Sequence, residues 1–164
     1  MNGLEDLYRE IILDHYRSPR NRGDLPVPPA HRAEGFNPLC GDEIVLYLDV
    51  AAGDTGELCI DDLRVNGQGC SISQSSASMM STAVKGRTVV EARATIRAFK
   101  SMMSVHEAHL DGDGAGDAGG PEVALGDLEA LQGVVKFPVR IKCATLGWNT
   151  LVQALDEVES ATTA

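Results

Sequence analysis

Residues 43–50, EIVLYLDV, and 57–67, ELCIDDLRVNG, are the stretches that most narrow what this chain can fold into. Both are rich in β-branched and aliphatic side chains, and Ala52-Gly53-Asp54 between them is turn-forming. The pattern predicts an antiparallel hairpin. Everything around it is patterned as helix or loop. Leu4, Leu7, Tyr8, Ile11, Ile12 and His15 recur at helical spacing, which predicts an amphipathic helix over residues 3–17, ended by Ser18-Pro19. Burying five such apolar groups is worth about 10 kcal/mol before chain entropy is subtracted. The proline-rich stretch from Arg20 to Pro38 reads as an extended crossing segment.

Beyond the hairpin, Ile72, Ser76, Met79, Met80 and Ala83 mark a second helix that stops at Gly86. Thr88 and Glu91 form a capping box for a third, which runs to about His109. DGDGAGDAGGP at 111–121 reads as a flexible surface loop, followed by a short helix near Asp127 to Gln132. Trp148, Leu151, Val152, Leu155 and Val158 share one face of a C-terminal helix that begins near Cys143, with 159–164 as a disordered tail. The order of helix, small antiparallel sheet and then helices is α+β, within one domain over 1–164.

A chain of 164 residues buries about 70% of its unfolded surface, so it needs no metal staple in order to fold. The formal net charge of -10 opposes phosphate backbones and anionic lipid, which argues against nucleic acid and membrane surfaces as partners. The start, MNGLEDLYREIILDHY, is acidic and amphipathic, and no apolar run is long enough to span a bilayer. The expected location is cytoplasmic. Aromatic residues make up only 4% of the chain, so the core should rest on small and flexible side chains.

The four cysteines, at 40, 59, 70 and 143, include no CxxC pair. In a domain of this size reduced thiols are the default. Cys40 lies on the loop leading into the first hairpin strand, and Cys70 and Cys143 are expected at helix mouths, where the positive end of the dipole favours thiolate. Gly41 between Cys40 and Asp42 allows the tight bend that two converging side chains need. Three thiolates with the Asp42 carboxylate make a set suited to zinc or to an iron-sulfur cluster. Lys142 and Arg140, beside Cys143, could offset the resulting negative charge. Spacing alone leaves two readings open, a metal or cluster site and three unlinked buried thiols.

LYREIILDHYRSPRNRG (7–23), NPLCGDEI (37–44), GQGCSISQSSASMM (67–80) and FPVRIKCATLGW (137–148) together resemble the SufU branch of the IscU-like (NifU N-terminal) family of iron-sulfur cluster assembly proteins. The resemblance runs nearly the whole length. It implies the IscU-like fold: an N-terminal helix, a small three-stranded antiparallel sheet and a C-terminal group of helices packed on it. It also implies Cys40, Asp42, Cys70 and Cys143 as zinc ligands, and Cys40 as acceptor of sulfane sulfur from a SufS-type cysteine desulfurase. Sulfurtransferase activity would then exist only with that partner, and a downstream scaffold or apo-protein would receive the sulfur. Lys142 stands where IscU-type scaffolds carry histidine, and the segment between the second and third ligand cysteines is longer, as in the SufU branch. The alternative implied function is a scaffold that binds iron and assembles a transient cluster.

Other chemistry-bearing residues have plainer readings. Cys59, between Leu58 and Ile60, reads as a small packing residue. His15 reads as a satisfied core histidine, and His106 with His109 as a solvated helix end. Asp111 to Glu122 resembles a calcium loop but has Ala115 at a ligand position and Pro121 near its end, so an acidic loop is the better reading.

Overall fold

A computed structural model describes residues 3–111 and 125–163. The elements are α1 (Gly3–Arg17), β1 (His31–Asn37), β2 (Asp42–Ala52), β3 (Leu58–Gln68), α2 (Ser71–Val84), α3 (Val89–Asp111), a 3₁₀ helix (Gly126–Lys136) and α4 (Pro138–Thr163). The sheet is antiparallel in the order β1-β2-β3. This is the α+β arrangement expected from sequence.

The hairpin forms where alternation placed it. On β2, Ile44, Leu46 and Leu48 are buried; on β3, Val65 pairs with Leu46 and Leu63 with Leu48, and the buried Ile60 pairs with Val50. The pairing shifts by one residue between Asp49 and Val50, a bulge that adds local twist. The third strand, β1, lies inside the segment read from sequence as an extended crossing. HRAEGFN carries no apolar alternation, and only Ala33 and Asn37 are buried in it. Its strand state comes from pairing with β2, His31 to Leu48 through Asn37 to Asp42, and from α4 packing closely on it. At Gly35 a β-carbon would collide with Thr150 Oγ1, so glycine is what permits that approach.

α2 is the central helix, packed between α1 and α4. Residues 73–81 are buried without a break, and their hydroxyls find partners within the protein, Ser75 and Ser81 on carbonyls of α2 itself. Ser76 Oγ donates to Ala144 O at 2.6 Å and accepts from Trp148 Nε1 at 3.0 Å. Trp148 in turn stacks on Phe99, with ring centroids 4.3 Å apart. Two aromatic rings thus knit three helices together in a core otherwise built from small and aliphatic groups. Thr88 and Glu91 form the reciprocal capping box at the start of α3.

Both ends of α4 and the burial of α1 differ from the sequence reading. α4 starts at Pro138 and not near Cys143, because proline is favoured in the first turn, where its missing N–H costs nothing. Residues 159–163, read as a tail, continue that helix, and Arg93 on α3 bonds both Asp156 and Glu159 there. α1 spans the expected residues but buries less than its pattern suggested: Leu7 is 54% exposed, and Ile11 and Ile12 are half-buried. His106, His109 and the loop from Asp111 to Glu122 have side chains outside the described residues. Among the described residues no helix is long and apolar enough to cross a membrane.

His15 fastens α1 to the rest. It is 3% exposed, with Nδ1 2.8 Å from Ser78 Oγ on α2 and Nε2 3.4 Å from Asp127 Oδ2 on the 3₁₀ helix. Burial lowers its pKa below the ordinary histidine value, against the opposing pull of Asp127. The unfolded chain therefore binds the proton more readily, and stability falls as pH drops through about 6.5. Wild type should lose more stability than His15→Gln between about pH 7 and pH 5, by at most about 1.4 kcal/mol per pH unit. Urea unfolding of both proteins at the two pH values measures the difference.

Candidate metal and thiol site

The site forms where the β1–β2 turn meets the N-terminus of α2 and the second turn of α4. Asn37 ends β1 and pairs with Asp42, the first residue of β2, leaving four residues to reverse the chain. The backbone carbonyl of Asn37 accepts from the amides of Cys40 (3.3 Å) and Gly41 (2.9 Å), and its side-chain Oδ1 accepts from Leu39 N at 3.2 Å. Gly41 takes the positive φ of 68° that closes the turn. Cys40 is thereby held at the turn's tip, half-buried, with Leu39 66% exposed beside it.

Asp42 continues the inward face of β2, in phase with Ile44, and is 0% exposed. A buried carboxylate needs a compensating donor or cation. Its Oδ1 accepts the Cys70 amide at 2.9 Å, and its Oδ2 lies 3.9 Å from Cys70 Sγ. Among the described residues it has no ion pair. Cys70 is the N-cap of α2, in the position expected, and its sulfur accepts from Ser73 N at 3.5 Å.

Cys143 reaches the same place by a different route. Because α4 starts at Pro138, the cysteine sits in the second turn, fully buried, and has no helix-terminus amide to stabilise a thiolate. Its Sγ is 3.3 Å from Cys40 Sγ and 3.8 Å from Asn37 Nδ2. Burial pushes the Cys143 thiol well above its usual pKa, and the hydrogen bonds with Cys40 and Asp42 and the charge of Cys70 add to the rise. The helix-mouth position expected from sequence is found for Cys70 and not for Cys143.

Donor atoms of Cys40, Asp42 and Cys143 all lie within 4.8 Å of one another. Cys70 adjoins this group through Asp42. Two sulfurs in contact beside a buried carboxylate cannot all ionise without a cation, and three soft donors with one hard one fit a thiophilic divalent ion. Arg140, one turn before Cys143, faces these thiols: its own pKa is raised by the charge of Cys70 first, and by Cys143. Lys142 is exposed and has no ion pair among the described residues. Cys59 pairs with Ala51 at the far end of the hairpin, its sulfur 3.8 Å from Glu57 O, outside the cluster.

One supporting residue, Asn37, carries no role in the sequence reading, and the glycines before Cys70, which read from sequence as a bend that lets side chains converge, do more than bend. Asn37 both folds the Cys40 turn and aims an amide at Cys143, and its place just before Pro-Leu-Cys was the available signal. Gly69 matters through what it lacks: a β-carbon there would collide with Asp42 Oδ1 and press on Ser73 Oγ. Gly69→Ala should therefore displace the carboxylate, lower stability by about 2 kcal/mol and weaken cobalt(II) binding at least about tenfold. Urea unfolding and titration of the cobalt(II)-thiolate absorption test the two effects.

The family model described as NifU-like N terminal domain matches residues 7–144. The zinc-dependent sulfurtransferase SufU of Bacillus subtilis (strain 168) is 40% identical over 156 residues, which cover 95% of this chain and 94% of that protein. The iron-sulfur cluster assembly scaffold protein IscU of Streptococcus pyogenes serotype M1 is 35% identical, over 98% of this chain and 90% of its own. Among solved structures, an iron-sulfur cluster assembly scaffold protein for the SUF system from Fervidobacterium islandicum AW-1 superposes with a TM-score of 0.59 at 31% identity, covering 89% of this chain and 94% of that one. The matched span carries Cys40, Asp42, Cys70 and Cys143 with the strands and helices that position them, and the chain belongs to the NifU-like N-terminal domain family.

Proposed function

We propose that the protein is a sulfur carrier of iron-sulfur cluster biogenesis, which takes sulfane sulfur onto Cys40 from a SufS-type cysteine desulfurase and stimulates that enzyme. The observation that carries this reading is the asymmetry of the thiol cluster. Cys143 and Asp42 are fully buried and Cys70 is fixed as a helix cap, whereas Cys40 stands at the tip of a four-residue turn within reach of a partner. The overall similarity to a protein named as a zinc-dependent sulfurtransferase supports it.

Cys40, Asp42, Cys70 and Cys143 would hold zinc, and the ion when bound keeps thiols deprotonated near neutral pH. The remaining chemistry belongs to the side chains. The Cys40 thiolate attacks the outer sulfur of the partner's persulfide; a new sulfur-sulfur bond forms on Cys40 as the old one breaks, and the partner's cysteine leaves as a thiolate that takes up a proton. Sulfur oxidation is redistributed and not changed, so no external oxidant is consumed. Arg140 places a permanent cation beside the electron-rich sulfurs, and Asn37 holds the turn that presents Cys40. The sulfur then passes to a downstream scaffold or apo-protein.

A scaffold role is the second reading, favoured by the same convergence of donors and by the name of the Streptococcus pyogenes relative. In that case iron and sulfide are substrates assembled on the cluster. Anaerobic incubation with iron and sulfide separates the two: a relay keeps its zinc and gains no labile sulfide, and a scaffold exchanges one for the other.

Cys40→Ser should return cysteine-dependent sulfide release by the desulfurase to its basal rate. The same variant should acquire no persulfide by mass spectrometry while retaining the wild-type fold by circular dichroism. Full stimulation by Cys40→Ser contradicts the relay.

A further inference from the structure

Cys40 and Cys143 differ in their access to solvent, yet their sulfurs are in contact. Cys40 is half-buried at the tip of the β1–β2 turn, Cys143 is 0% exposed, and the two Sγ atoms are 3.3 Å apart. A disulfide holds its sulfurs about 2.0 Å apart, so a shift of little more than about 1 Å brings this pair to bonding distance. Cys143 is fixed in the second turn of α4, and the shift falls to Cys40, whose turn takes its internal hydrogen bonds from Asn37. Cys70 is engaged elsewhere: its sulfur caps α2 through Ser73 N and lies beside the Asp42 carboxylate. Cys59 is at the far end of the hairpin. A thiol open enough to meet a partner's persulfide is open also to peroxide, and a second thiol directly behind it makes such an oxidation reversible.

We propose that Cys40 and Cys143 form a peroxide-responsive disulfide, with Cys40 as the thiol oxidised first and Cys143 as the thiol that resolves it. The Cys40 sulfur attacks the O–O bond of hydrogen peroxide; one oxygen stays on sulfur as sulfenic acid, and the other leaves with the thiol proton as water. The Cys143 sulfur then attacks the Cys40 sulfur, and the sulfenic oxygen departs with the Cys143 proton as a second water. Two thiols lose two electrons, and one peroxide takes them. The new bond removes two of the four metal donors, and the remaining Asp42 and Cys70 are too few to hold zinc tightly. It also occupies the sulfur proposed to accept sulfane sulfur. One event thus closes the carrier and frees the ion, and a thiol reductant reverses it. The chemistry needs the two thiols alone, whether the site serves as relay or as scaffold.

The test treats the zinc-loaded full chain with excess hydrogen peroxide and no desulfurase, so its outcome is independent of the relay. Peptide mapping under non-reducing conditions should find Cys40 joined to Cys143 within one chain, with about one zinc released to a chromogenic chelator per disulfide formed. Dithiothreitol should restore the free thiols and zinc uptake. In Cys143→Ser, dimedone should trap sulfenic acid on Cys40, and without dimedone the yield of sulfinic acid there should exceed that of wild type at least about tenfold. Cys59→Ser, outside the cluster, should behave as wild type. Where Cys143→Ser does not fold, the wild-type map decides alone. Wild-type Cys40 left unoxidised, found as sulfinic acid beside a free Cys143, or joined to Cys70 or to a second chain overturns the proposal. A Cys40–Cys143 link formed with zinc fully retained overturns its coupling to the metal.

Discussion

The hydrogen bond from the Cys70 amide to the Asp42 carboxylate is the link on which the site depends. It joins the first residue of a central strand to the cap of the central helix, and so fixes where the sheet and the helical layer meet. Asp42 is fully buried because strand alternation gives it the same face as Ile44, Leu46 and Leu48. The carboxylate cannot move outward without shifting the register of β2, and a one-residue slip would turn that whole apolar set to solvent. A hard ligand is thus held by the same constraint that builds the core.

Around that fixed point the three sulfurs have unequal freedom. Cys70 is locked by capping α2, and Cys143 by burial within α4. Cys40 rests on a turn whose internal bonds all come from Asn37. Two thiols are thus fixed by the helices that carry them and one by a short turn alone, the inequality on which the proposed sulfur relay rests.

Much of this was legible in the sequence, for identifiable reasons. The β2–β3 hairpin was visible because two aliphatic runs flank a turn-forming Ala-Gly-Asp, and the place of Cys70 because a helical pattern starts directly after it. The gathering of Cys40, Cys70 and Cys143 came from extended motif contexts, since separations this long carry no geometric information by themselves. β1 was invisible in HRAEGFN because its strand state is imposed by its neighbours. α4 begins at Pro138, ahead of the apolar pattern that marks the helix in the sequence, because proline is pre-set for a first helical turn, and Cys143 thereby lies away from the helix end expected for it. The open face of α1 could not be seen at all: periodicity says which side chains share a face, and says nothing about how fully a partner covers it.

The central claim is that three thiols and one carboxylate from four separated places in the chain hold a single ion. X-ray absorption at the zinc edge of the purified protein, with one equivalent of zinc per chain, tests it most directly. The account predicts a first shell of three sulfur atoms and one oxygen, with one sulfur lost in Cys40→Ser and the oxygen lost in Asp42→Ala. A shell dominated by nitrogen and oxygen, unchanged in those variants, would contradict it.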